Sequence, residues 1–168
     1  MKRTLTGLFI MIILASAFQP PGAPVIKNHA SIQDEDTLIW RAANRFTSMF
    51  NLGDTAAMNR YLPDDFMLQW FHEHFLGKKS LLNAMVDPAV HSTLKHVLKK
   101  DGQTVIMYSD NHQAVSLNTG LEFLDPALMQ SIKKEHGYGL CIMYFQKRNG
   151  GWWLKTVHLD LHCSLCNL

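Results

Sequence analysis

The sequence predicts an α+β domain in which helices come first and a mostly antiparallel sheet follows. Three observations carry this. Leu38, Ile39, Ala42, Ala43, Phe46, Met49 and Phe50 recur at helical spacing. The second half of the chain is instead a succession of short apolar runs broken by turn residues. Asn149-Gly150 then separates two long runs, and Asn-Gly supplies the positive φ angles that a tight hairpin turn needs.

The elements follow in order. The first helix has Asp34 to Thr37 available as caps and Gly53 as a stop. Asp54 can cap a second, short helix over "TAAMNRYL", which must end at Pro63. "FMLQWF" (66–71) reads as a strand, and "KKSLLNAMV" as a third helix that ends near Asp87-Pro88. "QTVIMYS" and "QAVSLNTGLEF", broken at Asp110-Asn111, read as a hairpin. "DPALMQSIKKEHG" is a short helical excursion, and "YGLCIMYFQKR" with "GWWLKTVHLDLHC" forms the final hairpin.

At 168 residues, of which 47% are hydrophobic and 18% charged, the chain has room for one ordinary core. The beginning reads differently. Lys2 and Arg3, the run "LFIMIILA" and Ala15-Ser16-Ala17 make a secretory signal peptide over residues 1–17. Residues 18–33 are Pro-rich at first and without periodicity, a flexible leader, so one domain is expected over 34–168. Cleavage after Ala17 removes two of the 16 basic side chains and leaves 14 against 14 acidic ones. A formally neutral body argues against nucleic acid or a membrane surface as partner. The expected location is exported, periplasmic or secreted, where paired cysteines tend to oxidise.

"FNLGDTAAMNRYLPDDFMLQW" with "FLGKKSLLNAM" resembles the opening of the nuclear transport factor 2-like superfamily, in its SnoaL-like and steroid-isomerase-like branch. "TVIMYSDNHQAVSLNTGLEF" is similar to that branch's middle hairpin, and "YFQKRNGGWWLKTVHLDLH" to its last. The resemblance spans about Asp36 to His162. It implies a cystatin-like cone, a curved sheet wrapped around N-terminal helices with a pocket at the open end, and a homodimer. It does not imply a chemistry, because such folds serve isomerases, hydrolases and pure binding modules alike. No residues match the acidic base, tyrosine and second acid of the steroid isomerases; Asp64 and Asp65 look like turn formers.

The closing stretch "VHLDLHCSLC" holds the densest set of reactive side chains. On a strand His158, Asp160 and His162 share one face and Val157, Leu159 and Leu161 the other. The three polar residues could ligate a metal, but a half-buried last strand explains them more simply, and no metal or cofactor is expected. Counting outward from the Asn149-Gly150 turn places Cys141 opposite His158, Gly139 opposite Asp160 and Gly137 opposite His162. That histidine face could wall the cavity or form an outer dimer contact. Cys163 and Cys166 read as a small-loop disulfide, leaving Cys141 buried as a thiol.

Elsewhere, His72 and His74 share a face if their strand continues, and His91, His96 and His112 read as solvated surface. Trp40, Trp70, Trp152 and Trp153 read as core or interface, although the resemblance implies that Trp70 lies near the pocket. No phosphate loop, serine elbow or zincin motif is present. The favoured function is an exported protein holding a small, mostly apolar ligand, with Trp70, His72, Tyr108, Tyr144, His158 and Asp160 as candidate ligand contacts. One alternative is a proton-transfer enzyme, an isomerase or lyase, with His158 or Asp160 as base and Tyr108 or Tyr144 as donor. The other is a structural dimer or accessory subunit whose pocket its own side chains fill.

Overall fold

A computed structural model describes residues 32–70, 73–134 and 137–163. The expected signal peptide and nearly all of the leader lie outside these residues, as does Cys166 with its expected disulfide. Helix α1 (Ile32–Leu52) starts before the anticipated caps, so Asp34 and Glu35 sit in its first turn. Acidic groups there favour the helix by facing the positive end of its dipole. Ile39, Ala43, Phe46 and Phe50 form its buried stripe, and Gly53, at φ 67°, ends it. Asp54 caps α2 (Thr55–Tyr61) by accepting the Ala57 N–H at 2.8 Å.

Strands β1 (Met67–Trp70) and β2 (Glu73–Leu76) form a hairpin in which Trp70 faces Glu73. The "WFHEHF" stretch is therefore not one strand, since Glu73 to Leu76 pair antiparallel with Met67 to Trp70. Helix α3 (Lys78–Ala84) matches expectation, but a further helix, α4 (Pro88–Leu94), follows it. Asp87 caps α4 through the Ala89 N–H, and Pro88 starts it, a position where its missing N–H costs nothing.

The remaining strands are β3 (His96–Lys99), β4 (Val105–Tyr108), β5 (Ala114–Phe123), β6 (Gly137–Arg148) and β7 (Gly151–Cys163). Helix α5 (Pro126–Lys134) links β5 to β6. The sheet order is β2-β1-β7-β6-β5-β3, with β4 also on β5, and only β1 with β7 runs parallel. The curved sheet does not close, and α1 packs on its inner face beside Phe66, Leu117, Met143 and Val157. Phe46 meets Phe50 and Phe66 at ring distances of 5.8 and 5.6 Å. Burying each such ring contributes about 1.5–3 kcal/mol. The fold is thus α+β, as expected.

The last hairpin turns at Asn149 (φ 51°) and Gly150 (φ 78°), and Arg148 faces Gly151. Beyond it the expected register is wrong by one residue. Phe145 pairs with Leu154 but Tyr144 pairs with Thr156, so Lys155 is an extra residue in a bulge. Cys141 consequently faces Leu159, and it is Ile142 that faces His158; Gly139 faces Leu161, Leu140 faces Asp160, and Gly137 faces Cys163.

Candidate functional site

The bulge decides which residues look inward. Cys141, Met143 and Phe145 join Leu154, Val157 and Leu159 in the core. His158 and Asp160 lie with Tyr138, Leu140, Ile142 and Tyr144 on the outer face of the sheet. Tyr138 and Tyr144 thus stand on the face opposite Val157 and Leu159. His158 stacks edge-on to Tyr144 at 5.7 Å. Partial burial lowers its pKa and His74 adds to this, while Asp160 opposes it. Asp160 accepts the Leu161 N–H at 2.8 Å. The side chain of His162, and all of His72, lie outside what the structure describes.

Tyr108 points the other way, to the inner side, where its hydroxyl donates to Asp36 at 2.7 Å. Burial and that carboxylate both raise its pKa, so it stays protonated. Its ring lies edge-on to Trp152 at 6.0 Å, and Lys147, paired with Glu35, stands over Trp152. The sheet therefore separates Tyr108 from His158 and Asp160. Among the described residues no group of three His, Cys, Asp or Glu side chains could hold a metal.

Trp70 lines a cleft of about 510 Å³ between the β1–β2 hairpin and α4. Its ring meets Phe123 edge-on at 4.8 Å, which fixes the back wall. Phe75, Val90 and Leu94 supply further apolar wall, and Glu73 and Thr93 are the polar residues at the edge. The Thr93 hydroxyl is taken up by the Ala89 carbonyl at 2.9 Å. The Glu73 carboxylate has no partner among the described residues and is free to receive a donor. Of the candidate contacts among the described residues, then, Trp70 alone lies in this cleft. The α4 residues were missed because the Asp87-Pro88 signal was read as an end rather than as a cap and first turn.

Of two histidines placed on the surface by their polar neighbours, one is internal and the other partly buried. His96 is fully buried, its Nδ1–H donating to the Leu94 carbonyl at 2.8 Å, with Thr47 3.5 Å from Nε2. Asn51 grips the His96 backbone on both sides, at 2.6 Å to its carbonyl and 3.1 Å from its N–H. His91 donates to the Phe50 carbonyl at 2.7 Å. Both histidines thus hold α4 and β3 against α1, behind the cleft.

Solved structures share this fold. An NTF2-like protein with a cystatin-like fold from Novosphingobium aromaticivorans matches all of this chain and 94% of its own, at 11% identity and a TM-score of 0.55. A cystatin-like-fold protein of unknown function from Nostoc punctiforme matches 79% of this chain and 95% of its own, at 18% identity and 0.54. The fold is nuclear transport factor 2-like. An NTF2-like superfamily protein from Salmonella enterica agrees, at 14% identity and 0.54 over 76% of this chain and 90% of its own. No family model and no curated protein matches the sequence. Within the nuclear transport factor 2-like cone the Trp70 cleft lies between the edge hairpin and a helix. The His158 face, by contrast, lies outside the cone.

Proposed function

We propose that the protein is an exported module that binds a small, mostly apolar ligand in the Trp70 cleft. The observation that carries this is the cleft's lining: aromatic and aliphatic walls with one unpaired carboxylate, Glu73, at the rim. About 510 Å³ is within the range of small-molecule pockets, and a few polar groups on an apolar wall suit a ligand with one hydroxyl or amine. Binding is favoured over proton transfer because His158 and Asp160 face away from the core and Tyr108 is engaged with Asp36. No single substrate could touch that base and Tyr108, and Tyr144, the other donor, stands with His158 on the outer sheet face rather than in the cleft. Export is supported by the Lys2-Arg3, apolar and Ala15-Ser16-Ala17 pattern.

The test is a fluorescence titration of the purified protein with Nile red, a neutral apolar probe. Saturable binding is expected, weakened at least about tenfold in Val90→Lys, which puts a charged chain into the cleft at a partly buried position; an unaltered melting curve checks that the fold is kept. Equal affinity in the variant, or no binding by the wild type, would overturn the assignment.

A further inference from the structure

A second cleft, of about 370 Å³, lies where α1 and α2 meet the start of β7. Two guanidinium groups converge on it, Arg45 from α1 and Arg60 from α2. Tyr61, Trp152 and the buried Leu154 supply its apolar surface. Arg45 stands 4.8 Å over the Tyr61 ring, a cation–π contact that leaves its N–H edge available. Tyr61 is itself held, its hydroxyl donating to the Ala42 carbonyl at 3.3 Å. Arg60 has no ion pair or hydrogen bond among the described residues.

The acidic residues flanking α2 are committed elsewhere. Asp54 caps α2, Asp64 pairs with Lys78 at 2.7 Å, and Asp65 pairs with Lys155 and Arg148. The cleft therefore carries positive charge with no carboxylate of its own. A guanidinium matches a carboxylate through two parallel N–H bonds, and aromatic walls favour a planar, apolar body. An inorganic anion would leave the rings unused, and a neutral aromatic would leave the guanidinium groups unused.

The geometry points to a second binding site, for an aromatic carboxylate, at Arg45, Arg60, Tyr61 and Trp152. It is independent of the Trp70 cleft, which shares none of these residues. Naphthalene-2-carboxylate and its neutral counterpart naphthalene-2-methanol are titrated calorimetrically into the full chain, at low and moderate salt. Saturable binding of the carboxylate is expected, at least about tenfold tighter than the alcohol. Arg60→Gln should remove most of that preference, whereas Val90→Lys and the exposed Lys79→Gln should leave it unchanged. Arg60 is exposed, so its replacement spares the fold, and an unaltered melting curve checks this. Equal binding of the two compounds, an unaffected Arg60→Gln, or an equal loss in Lys79→Gln each overturns the assignment. Loss confined to Val90→Lys also overturns it, by moving the carboxylate to the other cleft.

Discussion

His96 shows how one side chain can tie a fold to pH. Its Nδ1–H is spent on the Leu94 carbonyl, and with burial favouring the neutral ring Nε2 is left to accept from the Thr47 hydroxyl. Burial lowers its pKa below the usual 6.5, more than the Leu94 bond raises it. The unfolded chain therefore takes up a proton near the usual value while the native state does not. Stability from this group is complete above that pH and falls as the pH drops below it, by up to about 1.4 kcal/mol per pH unit. The half-exposed His158 adds a smaller effect of the same sign. Denaturant unfolding from pH 7 to 4.5 should show this slope, and His96→Gln should flatten it; an undiminished slope would assign the effect to other groups. Nothing in the flanking sequence, "TLKHVLKK", marks His96 as internal, because its partners, Thr47 and Asn51, are distant in sequence.

At the level of elements, most helices and strands were legible because their signals are local. Apolar spacing marked α1, Asp54 and Pro63 bounded α2, and Asn149-Gly150 placed the last turn. Helix α4 was also written locally, in Asp87-Pro88, but that pair resembles a stop as much as a start. Strand β7 holds a subtler signal. Its buried apolar residues are Leu154 and then Val157 and Leu159, so the apolar alternation changes phase between 154 and 157. Two-residue periodicity breaks only where a residue is extra, and that break identifies the bulge at Lys155. Pairing partners outside that hairpin, such as β1 beside β7, have no local signature. Asp87→Ala should test the importance of α4, costing about 1 kcal/mol through loss of the cap. Because Val90 and Leu94 wall the Trp70 cleft, the same variant should also weaken Nile red binding; full affinity would show that α4 does not shape the site.

For the whole molecule, the outer sheet face carries several exposed apolar side chains. Tyr138 and Tyr144 on β6 and Met107 on β4 are each roughly half exposed there, beside Leu140 and Ile142. A contiguous apolar stripe of this kind suits a self-complementary contact with a second copy. We expect a homodimer by sedimentation equilibrium, shifted toward monomer by Tyr144→Glu; a wild-type monomer at tens of micromolar would refute it. The compartment rests on the first 17 residues alone, and the described residues contain no helix long and apolar enough to cross a membrane.

The bulge at Lys155 also marks where this chain can vary in length. Loss of Lys155 would still leave Leu154 opposite Phe145 and Thr156 opposite Tyr144, so the strand would run on regularly and Val157 and Leu159 would keep facing inward. One residue lost beyond Thr156 would instead exchange every later side chain between interior and solvent. Related chains that keep this last strand should therefore lose single residues at the bulge or in the Asn149-Gly150 turn rather than farther along it.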